Sequence, residues 1–334
     1  MADPSARVPL GRTGIRISQM GFGCAPIGNL LSVVREEDAQ LALDAAIDDG
    51  IRFIDAAPFY GYGLAEERMG RALVRHERAD FVISTKVGRL IRPGARTGNE
   101  VYGDNKSFYL ANDDKCAVLD YSYDGVMRSL EESLKRIGTS RVDILHIHDP
   151  DDHFEIAVNG AYRALDELRR AGTISAVSAG MNQWEMESRF MDHGDFDCFL
   201  LAGRYSLLDQ SALEEFLPKC ATRGVSVILG GVFNSGLLAN PVMGATYNYV
   251  AAPDALVRKA LRIKAVCDSH AVDLKAAALQ FPLAHPAVVS ILTGVRSAAE
   301  WQENHRLMST SIPPALWSDL KSEGLVAASA PVPK

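Results

Sequence analysis

Apolar residues in this chain come in short runs that alternate with stretches of helical period, each unit taking roughly 25 to 45 residues between positions 20 and 310. The runs at 21–24, 52–55, 81–86, 142–148, 174–178, 198–202, 226–229 and 288–292 predict strands. Amphipathic stretches at 36–49, 120–137, 162–171 and 213–223 predict helices, and Gly50, Gly138, Gly172 and Gly224 stand just past their last turns, where a left-handed cap suits glycine. Strand followed by helix, repeated, indicates a parallel α/β fold, and eight strands is the number of a (β/α)8 TIM barrel. Apolar positions at 8–10 and 15–17 flank Gly11-Arg12-Thr13-Gly14 and predict an N-terminal β-hairpin able to plug the barrel floor.

Two connections, 88–117 and 230–253, are too long for simple links. Both follow strands, so both are expected over the C-terminal mouth, where barrel enzymes keep their active sites. A last helix is expected over 314–325, ahead of a frayed Pro/Ala tail. Nothing in repeats or composition marks a boundary, so 1–334 reads as one barrel domain, with a core at 8–310 and a C-terminal helix and tail at 311–334.

Composition narrows the partners. A chain of 334 residues with 47% apolar content buries a large core, and a net charge of −7 with no basic stripe argues against nucleic acid. No apolar run of about 18 residues is present, so neither a membrane span nor a secretory leader is expected, and the cytoplasm is the expected location. The five cysteines are dispersed without a CxxC pair, which suggests neither a disulfide framework nor a zinc site. Asp149, Asp151, Asp152 and His153 have the composition of a metal site, but on a loop with no supporting pattern; no metal is expected. A small-molecule substrate and a monomer or weak homo-oligomer remain.

The chemistry lies at the strand ends. Predicted strands two, three and four finish in the runs RFID, FVISTK and VDILHIH, so neighbouring strands would deliver Asp55, Lys86 and His148 to one mouth. Tyr60, five residues past Asp55, can reach the same place from the following loop. Such a set suits hydride chemistry at a carbonyl or hemiacetal carbon, where one acid/base must serve the substrate oxygen in both directions. Tyrosine ordinarily titrates near about 10, and a neighbouring ammonium favours its anion; a drop of about two pH units would correspond to roughly 3 kcal/mol. Asp55 would orient Lys86 and keep it charged, while His148 would donate to the substrate oxygen. Taken singly, each residue also has a structural use. His146 shares the strand face of His148 and reads as a satisfied core histidine. A barrel aldolase using Lys86 as a Schiff-base amine is the competing enzyme reading.

The runs LGRTGIRIS…GFGC, FIDAAPFYGYGLAEERMGRAL, STKVG, SLEESLKRIGTSRVDILHIHDPD and TGVRSAAEWQEN, in that order over about residues 7 to 310, resemble the aldo-keto reductases. The resemblance implies Tyr60 as general acid/base, a tetrad completed by Asp55, Lys86 and His148, and a nicotinamide cofactor extended across the mouth. GMNQWEM, LAGRYSLLDQ and NSGLL are most similar to bacterial dehydrogenases of the D-threo-aldose (L-fucose) and pyridoxal group. That likeness implies oxidation of an L-fucose-like or D-threo-aldose at its anomeric carbon to a lactone, with pyridoxal 4-dehydrogenase, general carbonyl reductase and nicotinamide-sensing regulatory subunit as alternatives.

Against the family pattern, Asn182 is the expected carboxamide contact, and Tyr205 or Phe233 the expected aromatic surface where Gly230-Gly231 replace a tyrosine. The 2′-phosphate positions fall on Gly294 and Glu300, a carboxylate that would repel phosphate; Arg296 is the counterweight, and NAD is favoured over NADP. Glu303 and Asn304 complete the expected cofactor set, with the backbone of 294–298 as a phosphate cradle. Phe59, Trp184 and Arg204 are candidate substrate walls. Arg89, Arg92 and Arg96 read as an exposed basic loop that could meet an anionic substrate.

Overall fold

The computed structural model describes residues 3–102, 105–248 and 250–334. Eight parallel strands close into a barrel: β1 (Met20–Gly23), β2 (Phe53–Asp55), β3 (Val82–Val87), β4 (Ile144–His148), β5 (Ala176–Met181), β6 (Cys198–Ala202), β7 (Ser226–Gly230) and β8 (Val288–Gly294). They pair in chain order, and β8 returns to β1. Around them lie α1 (Glu36–Asp48), α2 (Leu64–Leu73), α3 (Tyr123–Ile137), α4 (Arg163–Arg170), α5 (Trp184–His193), α6 (Phe216–Arg223), α7 (Asp254–Ser269), α8 (Leu274–Gln280), α9 (Ala298–Met308) and α10 (Pro314–Ser322). This is the TIM barrel expected from the periodicity. Gly50, Gly138, Gly172 and Gly224 all have positive φ, as the caps require. α3 starts later than 120 because Ser122 is its cap, its hydroxyl accepting from the Gly125 amide at 3.1 Å.

Side-chain alternation along the strands sorts two cores. Leu145 and Ile147 of β4 face out and join the layer packed under the helices, as do Ile83 and Val87 of β3. Inside, Phe53, Ile144, Ala176, Cys198 and Ile228 form an apolar floor with Leu10 and Ile17. The last two come from the N-terminal hairpin, Arg7–Pro9 paired with Arg16–Ser18, which closes the barrel from below as expected.

The two long connections carry structure of their own, and one expectation, the frayed tail, is corrected. The 88–117 connection is built structure: Arg89–Pro93 pairs antiparallel with Lys115–Leu119, and Val101–Tyr102 with Lys106–Ser107. The 230–253 loop carries a small ladder, Thr246–Tyr247 with Val250–Ala251; positions 103, 104 and 249 of these loops lie outside the described residues. The C-terminal tail is not frayed, because Leu325, Val326 and Ala330 are buried in the main core.

Candidate active site

The alternation that sets the floor also sets the mouth. Residues two and four places above Ile144 on β4 are His146 and His148, and the matching inward positions are Ser84 and Lys86 on β3 and Asp55 on β2. The structure therefore brings Asp55, Lys86 and His148 together, all buried. The Lys86 ammonium donates to Asp55 Oδ2 at 2.5 Å and to the Ala56 carbonyl at 2.9 Å, and the Ser84 hydroxyl donates to Asp55 Oδ1 at 2.7 Å. Burial pushes the Asp55 carboxyl above its ordinary value, against the opposing pull of Lys86 and Ser84. Burial also lowers His148 well below the ordinary histidine value, with Arg89, Lys86 and His146 adding to the effect, so its imidazole is neutral. His146 is held neutral in the same way, by burial and then by Lys86.

Tyr60 reaches this cluster from the β2–α2 loop. Lys86 Nζ lies 4.7 Å from the centre of its ring, and the His148 ring stands edge-on to it at 5.8 Å. The loop is locked by a close approach of two backbones: a Cβ on Gly61, at φ +67°, would lie 2.4 Å from the Gly28 carbonyl oxygen. On the other side Tyr109, from the long β3–α3 connection, packs against Phe59 at 5.2 Å and Tyr60 at 5.9 Å.

From Asp55 and Tyr60 a cavity of about 480 Å³ runs across the strand ends. Its middle is walled by Leu200, Phe233 and the bare backbone of Gly230, Gly231 and Gly236. Its far end is formed by Gly294, Arg296, Glu300, Glu303 and Asn304 where α9 begins. There the Glu300 carboxylate accepts from the Arg296 amide at 2.8 Å, Arg296 Nε donates to Ser32 Oγ at 2.9 Å, and Lys275 pairs with Glu303.

The pattern of the aldo/keto reductase family matches residues 19–323, nearly the whole barrel. The chain belongs to that family. It is 43% identical to a pyridoxal 4-dehydrogenase of Microbacterium luteolum over 97% of this chain and 98% of the relative. It is 37% identical to a D-threo-aldose 1-dehydrogenase of a Pseudomonas species over 94% of this chain and 96% of the relative. The holo form of an aldo-keto reductase from Bacillus halodurans superposes with a TM-score of 0.74 at 23% identity, covering 97% of both chains, and shares its fold. The protein is thus an oxidoreductase, in a family that works with nicotinamide cofactors.

In this aldo/keto reductase the remaining expected residues divide. Asn182 is exposed just past β5 and is not on the cavity wall. Tyr205 is buried, its ring against Phe281 at 5.3 Å and His285 at 5.7 Å, and is not on the cavity wall, where Phe233 is the aromatic residue besides Tyr60 among the described residues. Arg204 lies on Tyr247, whose hydroxyl donates to Asp209 at 2.9 Å, and ties down the 230–253 loop. Trp184 opens α5, half-buried against the core. Phe59 is buried with its ring 6.3 Å from that of His148.

The three loop arginines are engaged rather than free. Arg92 pairs with Glu132, and Arg96 donates to the carbonyls of Tyr109, Ala111 and Asn112, clasping the loop. Arg89 is buried on Phe59 and pairs with Asp149. Asp149 thereby leaves the acidic cluster, while Asp151, Asp152 and His153 form a separate turn at the surface. Sequence reading missed Lys275, from the distant α8, and Leu30 and Leu31, from the loop after β1, as cavity walls. Only tertiary packing joins these to the strand ends, and no local motif signals them. Among the described residues no helix is long and apolar enough to cross a membrane.

Proposed function

We propose that this enzyme is an NAD-dependent dehydrogenase acting on a cyclic hemiacetal, an aldose in its ring form or pyridoxal, and yielding a lactone. The observation that carries the reading is the buried Asp55–Lys86 pair beside Tyr60 and His148, with Asp55 and Tyr60 lining a cavity that reaches the start of α9. The cavity fits a dinucleotide: bare glycine backbone along its wall, an aromatic face at Phe233 and a capped helix start at its far end. When bound, the nicotinamide supplies the hydride acceptor. Tyr60 takes the hemiacetal hydroxyl proton, Lys86 favours negative charge on the tyrosine oxygen, and Asp55 holds Lys86 in place. His148, neutral, donates to the substrate oxygen. Phe59 and the buried aromatic wall around it exclude water from the reacting carbon.

The charges at the far end favour NAD. Both nearby cations are turned to other partners, Arg296 to Ser32 and Lys275 to Glu303, while Glu300 stays fixed by the Arg296 amide. A 2′-phosphate would meet carboxylates there, whereas ribose hydroxyls would find acceptors. Tight binding of NADP by the parent protein would oppose this reading. Glu300→Arg should raise NADP affinity about tenfold, roughly 1.4 kcal/mol, in a direct binding titration. Unchanged NADP affinity would remove Glu300 from cofactor choice.

Reduced-nicotinamide absorbance decides the activity, with NAD or NADP offered alongside L-fucose, D-arabinose, L-galactose and pyridoxal. Tyr60→Phe should lower kcat by roughly 10² to 10⁴ while NAD binding persists. Full turnover by that variant would take the acid/base step away from Tyr60. Binding of NAD without turnover across the panel would favour a sensing subunit, and a borohydride-trapped adduct at Lys86 would favour the aldolase chemistry.

A further inference from the structure

The residue after His148 departs from the strand rule. Alternation should turn Asp149 away from the imidazole, yet its φ of 41° lies in the left-handed region, where a residue other than glycine is strained. The turn brings Asp149 Oδ2 to 3.5 Å from His148 Nε2. Tyr121 fixes it, its hydroxyl facing the carbonyl oxygens of His148 and Asp149 at 2.7 Å each, and the Asp149 amide donates to Gly180 at 3.1 Å.

Arg89 clamps the carboxylate. Its Nη2 donates to the same Oδ2 at 3.1 Å while the guanidinium lies 4.6 Å above the Phe59 ring. The side chain is 3% exposed, and its Nε and Nη1 have no hydrogen-bond partner among the described residues. Burying a guanidinium that incompletely satisfied is unfavourable for folding, which points away from a purely structural pair.

We propose that Asp149, clamped by Arg89, is a positioning residue for His148: its carboxylate holds the proton of the neutral imidazole on Nε2, aimed for a substrate oxygen. An ionised carboxylate only accepts, so the nitrogen facing it carries the hydrogen. At 3.5 Å the contact is longer than a formed hydrogen bond, so the carboxylate biases the tautomer without consuming the donor. The device is pH-dependent because burial brings the Asp149 carboxyl up to about 6, with Arg89 and Lys86 opposing and Asp151 reinforcing. Glu187 of α5 also faces it, and burial pushes that carboxyl well above its ordinary value. Once Asp149 takes up a proton, the bias on His148 is lost.

The inference rests on the dehydrogenase reading for its kinetic consequence but not for its structural one. Protein labelled with ¹⁵N-histidine, with His148 assigned by difference against His148→Gln, should hold the Nε2–H tautomer above pH 7 and change it with a midpoint near 6. In Asp149→Asn the bias and the titration should both be absent. In kinetics, the fall of kcat/KM below pH 6 should vanish in Asp149→Asn, with the plateau about tenfold lower than in the parent. Asp149→Glu, which keeps a carboxyl, should keep the acidic limb at a moved midpoint and serves if the Asn variant fails to fold. The same tautomer and the same midpoint in these variants would overturn the proposal. The NMR result needs no substrate, so it stands or falls separately from the activity.

Discussion

The floor and the mouth of this barrel are built from the same eight strands and differ only in what the inward positions carry. At the floor Phe53, Ile144, Ala176 and Ile228 meet the hairpin residues Leu10 and Ile17 without a charged group among them. Two and four positions higher the inward residues become Ser84, His146 and Ser178, and then Lys86 and His148, with Asp55 beside them. The lower storey gains stability from burying apolar area. The upper storey buries groups that water would solvate better, and its charges persist there because Asp55 and Lys86 meet each other and the Ser84 hydroxyl.

Removing one partner at the mouth gives the largest effect that separates the two storeys. Lys86→Met leaves the Asp55 carboxyl buried with the Ser84 hydroxyl as its one direct side-chain donor among the described residues. The expected loss is about 3 to 5 kcal/mol of unfolding free energy, together with turnover. Asp55→Leu combined with Lys86→Met removes both charges and should recover most of that stability without recovering activity. Denaturant unfolding of the three proteins checks it. Equal stability of single and double variants would mean that the pair is solvated enough to behave as a surface ion pair.

The floor should respond in the opposite sense. Ile144→Ala empties a site sealed by the hairpin and should cost about 2 to 5 kcal/mol, while kcat of the folded enzyme stays within about twofold, since no polar group moves. A large fall in kcat at undiminished folding would show that floor and mouth are mechanically coupled.

The two storeys were unequally legible in the sequence. In VDILHIH the alternation of apolar and chemical residues indicated both strand and inward face, and the structure assembles Asp55, Lys86 and His148 from three such strand ends. The turn at Asp149 was not legible, because it depends on Arg89 and Tyr121 from the two ends of a long connection. The arginines of that loop read as surface charge, since their acceptors are backbone carbonyls and distant carboxylates with no local pattern. Tyr205 was misplaced for a related reason: an aromatic residue just past a strand end can face the cavity or turn under it. Here the rings of Phe281 and His285 draw it under.

The storey between floor and mouth offers the smallest and sharpest distinction. His146 Nδ1 is 2.7 Å from Ser178 Oγ, its Nε2 is 3.6 Å from Asp55 Oδ1, and burial followed by the Lys86 charge lowers it well below the ordinary histidine value. An unfolded imidazole takes up a proton near about 6.5, so as the pH falls past that point the unfolded chain binds a proton that the folded one refuses. Stability therefore falls toward acid, by up to about 1.4 kcal/mol per pH unit for each such histidine. His148 acts in the same direction, while Asp149, raised to about 6, acts in the other, since its folded form takes up a proton that the unfolded carboxyl does not hold. His146→Gln keeps the hydrogen-bonding capacity and removes one titration, so between pH 7.5 and 5.5 its unfolding free energy should drop about 1.4 kcal/mol less than that of the parent. An identical drop would mean that the native imidazole is already charged beside Asp55, and the charged upper storey would then begin two residues lower on β4, at His146.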